Sequence, residues 1–146
     1  MYTVVVEGVI SMGDKWLLIR RSMQEEHEPG AISLVGGRVE TTGFSHDVLE
    51  QALKREVAEE INITIQKEMQ YLWSSSLKTA KGERVLTVVF LCTYEAGEVY
   101  IKQIEEVADI LYLDTETVLE SEQIPDYVKK SIQLAALSIK QELAKQ

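Results

Sequence analysis

Apolar and polar positions divide this chain into short β-like runs and two helical stretches. Val and Ile crowd residues 3–10, and a second apolar run covers 16–19, with Gly13-Asp14 between them. Two such runs around a Gly-Asp pair predict a hairpin. Residues 22–30 are polar and end in Pro29-Gly30, which predicts a loop. A short strand is expected over 31–35, running into a Gly36-Gly37 turn. Residues 38–46 then read as loop, with Thr41-Thr42-Gly43 as the breaker.

The period changes at residue 47. Leu49, Leu53, Val57 and Ile61 recur every four residues and predict the apolar stripe of a helix over 47–61. Asp47 followed by Glu50 resembles a capping box with Asp as the cap. Residues 63–77 and 83–94 read as two long strands joined at Lys81-Gly82, and 107–113 as a further strand. Residues 114–119 suit a helical turn. Pro125 opens a last helix with Val128, Ile132, Ala135, Ala136 and Ile139 on one face. No repeat, linker or low-complexity tract interrupts the pattern. Strands alternating with two helices predict one α+β domain over residues 1–146.

Composition narrows the partners. Hydrophobic residues make up 45% of 146, a globular value. The formal net charge of −9 argues against a nucleic-acid partner, whose phosphates are bound through Lys and Arg. A small phosphorylated substrate stays compatible if a metal inverts the local field. Cys92, the single cysteine, lies in the apolar run Val88-Val89-Phe90-Leu91-Cys92 and reads as a core residue. With no disulfide to form, a reducing, cytoplasmic setting is expected. The first eleven residues contain Glu7 and lack both a basic leader and a small-residue cleavage site, so they read as a strand. No apolar run approaches the ~20 residues of a membrane span.

The candidate chemistry sits on the helix over 47–61. Glu56, Glu59 and Glu60 stand at i, i+3 and i+4, within about a third of the helix circumference. Glu56 and Glu60 fall at the margin of the apolar stripe and Glu59 further out. Three carboxylates on one face repel one another, and like charges at i, i+4 cost a few tenths of a kcal/mol per pair. A divalent cation such as Mg²⁺ or Mn²⁺ would offset that cost, since these ions take hard oxygen ligands. Taken alone, the three glutamates read more readily as a solvated helix face.

Their surroundings change that balance. Strand, Gly-Gly, loop and acidic helix together resemble the Nudix hydrolase family, MutT-like in type. Its signature runs Gly, five residues, Glu, seven residues, then Arg-Glu-aliphatic-any-Glu-Glu-any-Gly-aliphatic. Gly37 matches the first Gly, Asp47 the Glu, and Arg55-Glu56-Val57-Ala58-Glu59-Glu60 matches throughout, so that the box covers about 37–63. The flanking segment from Pro29 through Gly36-Gly37-Arg38-Val39-Glu40 also resembles the family's strand into the box. Three positions depart. Nine residues separate Gly37 from Asp47, Asp47 replaces Glu, and Asn62 replaces the final Gly. Asn tolerates the left-handed backbone of a helix end, so the last change is mild. The four-residue insertion could reshape the cleft rim.

The resemblance implies a Nudix fold, a mixed β-sheet sandwiched between α-helices. It also implies Mg²⁺- or Mn²⁺-dependent hydrolysis of the pyrophosphate linkage in a nucleoside diphosphate derivative, by water attack on phosphorus. Glu56, Glu59 and Glu60 would hold metal, with the Gly37 carbonyl as a further ligand. Arg55 would orient the glutamates, with Asp47 as a partner; the other reading is an ordinary surface pair with Glu59. Glu106, before the strand over 107–113, would be the family's loop acid, as ligand or general base with Glu59 and Glu60; the other reading is a solvated loop residue. Arg20, Arg21 and Arg38 could contact phosphates, and Arg20, Arg38 and Glu40 are the candidate substrate contacts. Arg20 and Arg21 together read more readily as a strand end in solvent, and Glu40 equally as a solvated loop acid. His27 and His46 read as surface loop residues. Trp16, Trp73 and Tyr71 could stack a base, but core packing suits them better.

The chain has only Pro29 and Pro125, so it lacks the proline that ADP-ribose hydrolases often carry about fifteen residues past the box. Ala80 and Lys81 stand near where dinucleoside-polyphosphate members carry a tyrosine. A nucleoside triphosphate or a modified nucleotide remains as the expected substrate. The alternatives are a non-catalytic Nudix-like domain that senses a nucleotide, or an interaction domain using its acidic surface. The long strands over 63–77 and 83–94 could supply the edge of a homodimer.

Overall fold

The sheet is built around β1 (Thr3–Met12), whose alternate residues serve two different cores. A computed structural model describes residues 1–40 and 44–146. β1 turns at Gly13, which has φ of 61°, into β2 (Lys15–Arg21), with Ile10 opposite Leu17. This is the hairpin that the two apolar runs predict. β3 (Ile32–Ser33) pairs antiparallel with β2, and β4 (Val35–Arg38) lies antiparallel to the first half of β1. β7 (Arg84–Ala96) runs parallel to β1 along its other edge. β5 (Thr64–Ile65) and β6 (Gln70–Lys78) pair antiparallel with β7, and β8 (Val107–Leu113) pairs antiparallel with β2. The result is one mixed sheet of eight strands.

Among the described residues three helices cover it. α1 (Val48–Ile61) packs Leu53, Val57 and Ile61 against Val6, Ile10, Leu17 and Ile19. α2 (Thr115–Glu120) and α3 (Asp126–Ala144) bring Val118, Val128, Ile132 and Ala135 to Val9, Trp16 and Leu18 on the opposite face. Each fully buried Leu, Ile or Val contributes roughly 1.5–3 kcal/mol, which fixes α1 on the sheet through the expected stripe. Cys92 is buried in the α1-side core, as its apolar run predicts. The expected α+β architecture, a mixed sheet between helices, is the one observed. Among the described residues no helix is long and apolar enough to cross a membrane.

Several local expectations need correction. Gly36 and Gly37 do not form a turn; both lie inside β4, opposite Glu7 and Val6. The expected strand over 31–35 is split at Leu34, because the chain leaves β2 and takes β1 as its new partner. The long strand over 63–77 is also two strands. Five steps from Ile65 to Gln70 face three from Tyr94 to Leu91 on β7, so two residues loop out. The polar run Gln66-Lys67-Glu68 supplies that break. The breaker Thr41-Thr42-Gly43 lies outside the described residues.

Both ends of α1 are left-handed. Asn62 has φ of 68° and donates its amide to the Ala58 carbonyl, so it fills the place of a terminal glycine as expected. Asp47 has φ of 53° and makes no side-chain capping bond. The predicted capping box is therefore absent: a capping side chain reaches the helix amides from extended backbone, which Asp47 does not have. Asp114, by contrast, caps α2 from an extended conformation by accepting from the Thr117 amide.

Candidate active site

The last two turns of α1 carry Glu56, Glu59 and Glu60 past the edge of the core. Their burial follows the helical wheel. Glu60 is only 5% exposed, whereas the side chains of Glu56 and Glu59 are 14% and 45% exposed. Arg55 gathers the other two. Its Nη1 donates to Glu56 Oε1 at 2.9 Å and to Glu59 Oε2 at 3.4 Å, and its Nη2 donates to the Arg38 carbonyl at 3.4 Å. Arg55 therefore makes both the surface pair with Glu59 and a tie from the acid helix to the end of β4. Asp47 is not among its ion-pair partners.

Gly37 stands directly beneath this helix. A β-carbon built there would lie 2.5 Å from Glu56 Oε2 and 2.9 Å from Oε1. Only glycine allows β4 and the Glu56 carboxyl to approach so closely.

A loop crosses the end of α1 and brings in the fourth acid. The Lys102 amide donates to the Glu60 carbonyl at 2.8 Å and the Tyr100 amide to that of Ile61 at 3.2 Å. Three residues beyond Gln103, Glu106 accepts the Ser22 amide on its own carbonyl at 2.9 Å, tying this loop to the one after β2. The carboxyls interact electrostatically. Burial first, then Glu56 and Glu106, push Glu60 up to about 9, against the opposing charge of Arg21. Burial also raises Glu56, against Arg55, and raises Glu106, with Glu25 adding to the shift. Such clustering of perturbed acids in one place makes it a candidate functional site.

Arg21 is the cation that the sequence singled out least clearly. Along β2, Leu17 and Ile19 face α1 while Trp16 and Leu18 face α3, so the alternation assigns Arg21 to the acid face and Arg20 to the opposite one. Arg21 pairs with Glu25 at 3.3 Å and donates Nε to the His27 carbonyl at 2.9 Å. Its charge lowers Glu7, Glu60 and Glu106. Arg20 instead donates to the Gly30 carbonyl. Arg38 turns its exposed side chain to Glu83, and only its carbonyl faces Arg55. Glu40 lines a shallow cleft of about 200 Å³ with Val48, Gln51, Ala52 and Arg55.

The aromatic residues are placed elsewhere. Trp16 is buried and donates to Thr115 Oγ1. Trp73 stacks on Tyr127 with ring centres 5.6 Å apart and donates to Ser131 Oγ. Tyr71 departs from the expected core packing: it is 56% exposed, edge-on to Phe90 at the sheet surface. Glu7, an acid inside an apolar strand, accepts a hydrogen bond from the Tyr127 hydroxyl on the α3 face.

The acids suit a hard divalent cation. They offer oxygen donors only, and Glu60 Oε2 is buried with no hydrogen-bond partner. Among the described residues no three His, Cys, Asp or Glu side chains already stand as a ligand cluster, since Glu56 and Glu59 are turned to Arg55.

Comparison with known proteins identifies the fold and the family. The MutT NUDIX hydrolase from Burkholderia pseudomallei superposes with a TM-score of 0.77 at 20% identity, covering 92% of this chain and 98% of that one. The MutT protein from Methanosarcina mazei Go1 gives 0.76 at 22%, covering 95% and 96%. The NUDIX domain of Shewanella oneidensis NrtR, complexed with ADP ribose, gives 0.69 at 20%, covering 95% and 89%. No curated protein matches the chain in sequence. These structures share its fold, and the family model described as NUDIX domain matches residues 1–133. With that match over most of its length, the chain belongs to the Nudix hydrolase family, and it is a pyrophosphohydrolase.

Proposed function

We propose that this chain hydrolyses the pyrophosphate linkage of a nucleoside triphosphate or modified nucleotide. Glu56, Glu59 and Glu60, with the Gly37 carbonyl, would hold Mg²⁺ or Mn²⁺. The observation that carries the reading is Glu60 Oε2, a buried carboxylate oxygen with no partner, among acids that raise its proton affinity. A group so placed is costly to leave unmet and suits a cation. When bound, the cation supplies Lewis acidity toward phosphate oxygens and neutralises charge developing on them.

The remaining roles belong to the chain's own residues. Arg55 orients Glu56 and Glu59 through its two bonds. Arg21, already aimed at the acid cluster, exchanges Glu25 for a substrate phosphate. Glu106 takes the proton of the attacking water at its carboxylate. Arg20 and Arg38, bonded to Gly30 and Glu83, contribute less to substrate binding.

Release of phosphate from a nucleotide panel, measured with Mg²⁺ or Mn²⁺ after adding inorganic pyrophosphatase, tests the reading. ADP-ribose belongs in that panel because a protein of similar fold binds it. Metal-dependent turnover of a triphosphate is the expected result. Tight nucleotide binding without turnover in any metal would favour a sensor domain instead.

A further inference from the structure

Glu7 breaks the apolar pattern of β1, and burial makes its charged form costly. Such a departure from local consistency is where function is expected. The side chain is nevertheless not sealed in the core. Glu7 stays partly exposed, and among the described residues only its Oε1 is bonded, by the Tyr127 hydroxyl. The buried side-chain atoms left without a partner are Glu60 Oε2 and Gln103 Oε1, so Glu7 Oε2 is open to solvent.

The strand register shows what surrounds that oxygen. Trp73, Val89, Glu7 and Gly36 are successive partners across β6, β7, β1 and β4, so they form one row on the α3 face. Tyr127, in the first turn of α3, meets both Trp73 and Glu7. In the next row stand Ser75, Thr87, Val5 and Arg38. Val5 belongs to neither core and stays partly exposed, so the face is open beside Glu7. Gly36 keeps the row low: a β-carbon there would lie 3.0 Å from Glu7 Cγ and closer still to the β1 backbone. Glu28, held at φ of 46°, is near enough for its charge to act on Glu7 and Tyr127.

This opening communicates with the acid cluster. Gly36 is opposite Glu7, and its neighbour Gly37 stands beneath Glu56 on the other face of β4. β4 pairs with β1, while β2 keeps β3 and β8, so among the described residues the far edge of β4 is free. Arg21 stands at that fork, since its charge lowers Glu7 on one face and Glu60 and Glu106 on the other. A ligand with its phosphates at the acids can pass the edge of β4 and set its far end against Glu7.

We propose that Glu7 selects the nucleobase: its Oε2 accepts a hydrogen bond from an exocyclic amino group, so that cytosine is preferred to uracil or adenine to hypoxanthine. The proposal rests on the nucleotide reading above. A carboxylate acceptor with a second acid nearby suits an N–H edge and repels a carbonyl edge.

Calorimetric titration with nucleoside triphosphates bridged by methylene groups, in Mg²⁺ at pH 8 where Glu7 is ionised, tests this without turnover. In at least one pair, cytidine against uridine or adenosine against inosine, the amino-bearing analogue should bind about tenfold more tightly or better, the effect of one hydrogen bond to a charged group. Glu7→Gln keeps an oxygen for Tyr127 and turns the open acceptor into an amide donor, so it should reverse that preference. Equal affinities within both pairs overturn the proposal and leave the pyrophosphohydrolase reading intact. So does a preference that survives Glu7→Gln, which would make Glu7 only a strut for Tyr127. Absence of binding by every analogue removes the nucleotide reading and this proposal with it.

Discussion

No side chain fits between Gly37 and Glu56. A β-carbon on Gly37 would come within 3 Å of both carboxylate oxygens, although β4 holds Gly37 opposite Val6 and α1 packs over it. Neither element can withdraw without opening the core. Gly37→Ala should therefore displace the Glu56 carboxyl and its bond from Arg55. The carboxyl is the far end of a flexible side chain and can rotate away, so stability should change by less than about 1 kcal/mol, while metal affinity should fall tenfold or more. Urea denaturation and Mn²⁺ titration measure the two. A variant with wild-type affinity would show that Glu56 has room to spare.

Arg21 and Arg20 should separate kinetically. Only Arg21 lies on the acid face, with its charge felt by Glu60 and Glu106. Arg21→Gln should raise KM about tenfold, the loss of one charge-assisted phosphate contact. Arg20→Gln removes a bond to the Gly30 carbonyl and should leave KM within about twofold. Equal effects from the two variants would contradict the assignment of faces along β2.

Glu7 gives the fold a pH dependence of its own. Burial pushes its carboxyl from the ordinary 4.5 up to about 7, and the Tyr127 hydrogen bond and Arg21 pull it back. The folded state therefore binds this proton more tightly than the unfolded chain. Its contribution is complete below pH 4.5 and is lost as pH rises from about 4.5 to about 7. Glu7→Gln stays neutral throughout. It should be more stable than the wild type at pH 8, by up to about 3 kcal/mol, and the difference should shrink toward pH 5. Tyr127→Phe removes a bond to the charged form and should move the wild-type transition to higher pH. Parallel stability profiles for wild type and Glu7→Gln, from urea midpoints at several pH values, would refute this.

Much of this was legible from residue types alone. The stripe Leu49, Leu53, Val57 and Ile61 located α1, and the same wheel ranked the burial of its glutamates. Asn62 was readable as a left-handed helix end. Asp47 was not, because its cap depends on a backbone angle set by the preceding loop. Gly36-Gly37 read as a turn because glycines usually break strands. Here they permit a close approach that is visible only once α1 lies over β4. Arg21 could have been chosen over Arg20 by extending the alternation of β2 two residues further.

The most direct test is Mg²⁺-dependent turnover of a nucleoside triphosphate by Glu60→Gln. This change replaces a buried acid by its neutral isostere, so the metal-free protein should melt at or above the wild-type temperature. Turnover should nevertheless fall by at least about a hundredfold, as loss of a metal ligand demands. Wild-type turnover in a folded Glu60→Gln protein would contradict the placement of the metal and of the chemistry on α1.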